Sequence, residues 1–204
     1  MTRTGAMYMP GSGAFTPCEE ISAELAAQQR LPRIRAGFLA GTRVETARGW
    51  RPVETLVAGD QVQTFDGDLK QVIDTHHAII RKQDAPQLIE VPGGMLNTCS
   101  TLRMMPGQKI LLRGAEVESL TGLPHALIPV DLMVGHGGIR RISAAQDLRR
   151  ITLKFEEEEL IFANTGALLH CAGPDRKGSH FRSLGARAAI DLFTTLVQDR
   201  RVAA

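Results

Sequence analysis

A chain of 204 residues with 24 basic and 22 acidic side chains carries a formal net charge of +2, too weak a field to select nucleic acid or an anionic membrane. Hydrophobic residues make up 43% but aromatic ones only 4%, so the core draws on Leu, Ile, Val and Ala, in one domain that buries about two-thirds of its unfolded surface. Cys18, Cys99 and Cys171 are odd in number and lack CxxC spacing, which disfavours a disulfide framework or a zinc knuckle and predicts buried free thiols in a reducing compartment. No run of about 18 apolar residues exists to span a bilayer. The first fifteen residues lack an apolar Sec-type core, so a cytoplasmic location is the default, with non-Sec export or incorporation in a particle left open.

Residues 1–15 read as an arm broken by Gly5, Pro10, Gly11 and Gly13. At Thr16-Pro17-Cys18-Glu19 a capping-box pattern opens a predicted helix over 17–29, whose Ile21 and Leu25 form only a narrow apolar stripe. Arg30, Arg33 and Arg35 lie in an extended linker without aromatic residues between them, too little for a nucleic-acid strip. Residues 1–35 are thus an N-terminal arm and helix.

The stretch 36–72, AGFLAGTRVETARGWRPVETLVAGDQVQTFDGDLKQV, sets the organisation of the rest. Turn glycines at 41, 49, 59 and 67 separate brief alternating runs, which predicts strands at 42–46 and 61–65 and a hairpin turn at Asp66-Gly67. Further strands are predicted at 71–81 and 87–91. Leu132-x-x-Gly135-His136 repeats Leu56-x-x-Gly59-Asp60 after a similar Pro-containing apolar segment, as two related halves would. Alternation at 151–155 and 160–163 predicts two more strands, with Glu156, Glu157, Glu158 and Glu159 as the solvated tip of a hairpin between them. After a polar stretch at 173–183, Leu184, Ala188, Leu192 and Leu196 keep helical spacing up to about 198.

The order of landmarks in 36–72 resembles the opening block of the Hint family, the self-processing fold of Hedgehog autoprocessing domains and inteins. That block reads Cys-x-x-x-Gly-Thr, a turn Gly, Val-Glu-x-Leu-x-x-Gly-Asp-x-Val and Asp-Gly. Residues 102–112, LRMMPGQKILL, resemble its second block, and the bacterial branch of the family is the nearest in character. The resemblance implies a mainly β, compact Hint-like domain with pseudo-twofold halves over 36–172, flanked by the N-terminal helix and by a loop and amphipathic helix over 173–204.

It also implies where chemistry would sit. Family members attack the preceding peptide carbonyl with the block-one Cys, while a block-two Thr or Ser polarises that peptide and a His three residues later donates a proton to its nitrogen. Here those positions fall on Gly37, Met105 and Gln108, so no catalytic residue is assigned and autoprocessing is not expected. The alternative is cysteine-dependent self-cleavage or splicing through a relocated nucleophile, Cys99 or Cys171, with His125 or His136 as thiolate partner. His170-Cys171 resembles an intein ending only faintly, since no Asn precedes the Cys. The adjacent His76 and His77 point to opposite faces of a strand and make a poor metal pair. No cofactor or metal is expected; the expected partner is another protein or a second copy of the chain, engaged through the terminal helices.

Overall fold

The computed structural model describes residues 36–174 and 180–202, with the side chains of 196–202 excepted; the predicted helix at 17–29 lies outside the described residues. Fourteen short strands and two helices follow one another here. The first half holds β1 (Phe38–Leu39), β2 (Arg43–Thr46), β3 (Gly49–Pro52), β4 (Gln61–Gln63), β5 (Leu69–Gln71), β6 (Asp74–Ile80) and β7 (Leu88–Val91). The second holds β8 (Leu102–Met104), β9 (Lys109–Arg113), α1 (Ala115–Thr121), β10 (His125–Pro129), β11 (Arg140–Ile142), β12 (Leu148–Lys154), β13 (Glu159–Ala163) and β14 (Ala167–Cys171), and α2 (Ala186–Val202) closes the described chain.

Two three-stranded sheets carry the signature of related halves. Their orders are β1-β12-β6 and β8-β7-β11, so in each the central strand comes from one half and both edge strands from the other. The turns repeat as well. The Thr42 N–H donates to the Leu39 carbonyl at 3.1 Å, and the Gln108 N–H to the Met105 carbonyl at 3.0 Å. Val53 and Val130, both fully buried at the start of short helical turns, donate to the carbonyls of Thr42 (2.8 Å) and Gln108 (2.9 Å). Gly59 and Gly135 then take φ of 95° and 93°, which explains why the repeated Leu-x-x-Gly motif needs glycine there.

The large sheet runs β10-β9-β14-β13-β2-β4-β5 with β3 on β2, and its inward side chains, among them Val44, Val62, Ile110, Ile161 and Leu169, form the main core. Helix α2 lays Ala189, Leu192 and Phe193 onto that core. Burying Phe193 alone contributes about 2–3 kcal/mol.

The alternating patterns run on past the points where strands change partners. The strand predicted at 71–81 is two strands, because the Val72 N–H turns to Asp60 and the Ile73 N–H to Lys154, both at 2.8 Å, carrying the chain from one sheet to another. The strand predicted at 61–65 stops at Gln63, since Thr64 bridges to Ile161 and Phe65 donates to Leu160. The helix predicted from 184 starts at Ala186, because Leu127 holds Ser183 and Leu184 in extended form. The seven-residue α1, ended by Gly122 at φ 69°, was not anticipated. Among the described residues no helix is long and apolar enough to cross a membrane.

Candidate functional site at the Ala36-Gly37 junction

The peptide unit entering β1 is gripped at both polar ends. Gly37 N–H donates to Oε1 of Gln108 at 3.0 Å in a buried contact. Gln108, 1% exposed, ends the turn before β9, and its Nε2 donates to the carbonyls of His170 (2.8 Å) and Lys109 (3.2 Å). These partners fix the orientation of the carboxamide, because its oxygen meets a donor and its nitrogen meets acceptors. On the other end, Nη1 of Arg150 donates to the Ala36 carbonyl at 3.4 Å.

Gly37 adopts φ 123°, where only glycine is at ease, and a Cβ there would lie 3.0 Å from Cγ of Arg150 and 3.1 Å from the Ile151 carbonyl oxygen. Met105 does not reach this peptide's polar atoms through any hydroxyl; it is fully buried in a second small core with Leu39, Ile80 and Leu88. A guanidinium beside the carbonyl oxygen can stabilise negative charge there. Cleavage also needs a nucleophile at the carbonyl carbon and a proton for the departing nitrogen, and Gln108 presents that nitrogen with an acceptor instead of an acid.

The sequence profile of the Hint domain matches residues 36–168, the stretch that contains this junction and both sets of repeated turns. The chain belongs to the Hint domain family. Among solved structures, a bacterial intein-like domain from Clostridium thermocellum is similar at 14% identity over 66% of this chain and 98% of that one, with a TM-score of 0.48. The gp41-1 intein is similar at 14% identity over 66% and 98%, TM-score 0.43, and an MchDnaB-1 intein at 13% identity over 66% and 99%, TM-score 0.43. No curated protein matches the sequence.

Elsewhere in this Hint domain the other candidates are scattered. Cys99 is exposed, contrary to the expectation of a buried thiol, and its N–H donates to Oγ1 of Thr165 at 3.0 Å. Cys171, 4% exposed, ends β14, where burial and then the charge of Glu159 push its thiol far above the ordinary range. A neutral, enclosed thiol is a poor nucleophile. His125 packs edge-on to Phe65 and Phe181, and His136 to Phe193. His76 and His77 lie side by side on the edge strand β6. Among the described residues no three His, Cys, Asp or Glu side chains gather as a metal-binding group.

One polar cluster escaped the sequence reading. The four glutamates do not tip a hairpin: β12 and β13 belong to different sheets, and the acidic run crosses between them, carrying Glu158 and Glu159 inward. Oε1 of Glu158 lies 2.5 Å from Nε2 of His170, and Oε2 accepts the N–H groups of His180 (2.6 Å) and Phe181 (3.4 Å). Burial lowers the pKa of His170, opposed by the bond and charge of Glu158 and reinforced by Lys109. Burial raises that of Glu159. Counting register back from the turn at 164–166 pairs Leu160 with His170, and Glu158 lies two residues from Leu160 on the same face, so that count could have found the pair.

Proposed function

We propose that this Hint domain does not process its own chain and acts as a protein-interaction module, with the Ala36-Gly37 bond kept intact as a structural link. The reading rests on the contact between Gly37 and Gln108: the atom that self-processing would have to protonate faces a carboxamide oxygen at 3.0 Å. Gly37 and Met105, at the positions matching the family's nucleophile and hydroxyl, supply neither group. Cys171 is withdrawn from solvent and from ionisation, and Cys99 is exposed on a different loop from the junction.

The intact mass of the purified full chain, followed through a long incubation with and without dithiothreitol, tests this. The reading predicts one unchanged species of 22.2 kDa under both conditions. Fragments divided at Ala36-Gly37, or a thiol-dependent loss of mass at any bond, would contradict it.

A further inference from the structure

A groove of about 1040 Å³ runs between the turn at residues 39–42, the stretch 100–103 leading into β8, and the loop joining β11 to β12. Gly37, Gln108 and Arg150, which grip the junction, are not among its walls. Its floor is apolar. Leu39 and Leu88 belong to the second small core, which reaches the groove through the half-buried Ile142 and Leu148. Beside this floor, β8 is the last strand of its sheet, and among the described residues no further strand takes up its outer edge.

The rim carries a surplus of positive charge. Glu90 is a single carboxylate facing two guanidiniums, Arg103 at 3.0 Å and Arg140 at 2.7 Å, and Arg103 remains 61% exposed in its side chain. Across the groove, Arg149 is exposed, and among the described residues no carboxylate stands within ion-pair distance of it. The rim carboxylate of Asp147 is engaged with the Lys82 N–H at 2.8 Å. An extended strand presents its side chains alternately to opposite faces, so it can set apolar groups on the floor and charged ones toward the rim.

We propose that this groove binds an extended segment of another protein in which acidic and apolar residues alternate, laid along the outer edge of β8. The inference rests on the reading of the domain as an interaction module and names the chemistry of its partner.

The full chain, labelled with ¹⁵N, is titrated with the acetylated hexapeptide Glu-Val-Glu-Val-Glu-Val and separately with Lys-Val-Lys-Val-Lys-Val. Saturable amide shifts at residues 100–103 and 142–148 with the acidic peptide only are expected, and Arg149→Glu, an exposed site that leaves the core untouched, should weaken that binding roughly tenfold. Equal response to the lysine peptide, shifts that map elsewhere, or no saturable shift at millimolar peptide would each overturn the proposal. Failure here with an intact 22.2 kDa chain removes the groove and spares the inert junction; groove shifts in a chain that cuts itself do the reverse.

Discussion

Gln108 ties Gly37 to His170: its Oε1 accepts the Gly37 N–H at 3.0 Å while its Nε2 donates to the His170 carbonyl at 2.8 Å. One buried side chain thereby links the entry to β1 with β14, residues that are otherwise far apart in sequence. A histidine at such a position could exchange a proton with the bound nitrogen; a carboxamide only holds it.

Gln108→Ala should therefore cost stability. It leaves the Gly37 N–H and the His170 carbonyl without their partner, and with about 1–3 kcal/mol for each buried group left unsatisfied the loss should be about 3 kcal/mol. Urea unfolding of the two proteins measures it. A change below about 0.5 kcal/mol, the range of ordinary surface substitutions, would mean that the link is not made in solution.

Gly37→Cys puts back the atom the family uses, yet it should neither restore cleavage nor be tolerated quietly. The new Cβ meets the side chain of Arg150 and the Ile151 carbonyl at 3.0–3.1 Å with φ at 123°, and a side chain in such backbone costs about 1–3 kcal/mol. Gly37→Ala should show the same destabilisation, which separates backbone strain from thiol chemistry. Thiol-dependent cleavage in the cysteine variant would show that Gln108 is no obstacle.

The two described cysteines should differ sharply toward an alkylating agent. Cys99 is exposed and should be modified in the native protein, whereas Cys171 is enclosed with its thiol pushed up and should react only on unfolding. Peptide mapping after brief iodoacetamide treatment reads both sites at once. Equal labelling would put Cys171 back among the candidate nucleophiles.

Stability should fall with acid in two stages. Burial holds the folded pKa of His170 below its ordinary 6.5, so the unfolded chain binds more protons as the pH drops; this contribution is present above 6.5 and is lost as pH falls toward the folded pKa. Hydrogen bonds from Arg140 and Arg103 lower Glu90, and the Val57 N–H lowers Asp60; their contributions are present above the ordinary values of 4.5 and 3.8 and fade below them. Glu159 works the other way, since its raised pKa gives a contribution lost as pH rises above 4.5. Urea midpoints between pH 7.5 and 3 should show the first stage in the native protein, and His170→Gln should remove it while sparing the second.

The turn-rich block at 36–72 is legible in sequence because its glycines take positive φ at Gly41, Gly49, Gly59 and Gly67, a demand few other residues meet. The related halves are legible for the same reason, through Gly59 and Gly135. Partner changes are not: the alternation runs on through Ile73, whose N–H has moved to Lys154 in another sheet, and through Thr64, which exchanges β5 for β13 as its partner within the same sheet. The Glu158-His170 pair was hidden by taking neighbouring strands for a hairpin. The partners Gly37 and Gln108 are 71 residues apart, and no local pattern joins them; only the family resemblance placed both at one junction.

Hydrogen exchange at the Gly37 amide, followed by NMR in the native protein and in Gln108→Ala, tests that junction most directly. The account predicts slow exchange in the native protein and an acceleration of at least about tenfold in the variant under conditions where both remain folded. Exchange at the rate of an open amide in the native protein, or no change on removing Gln108, would contradict it.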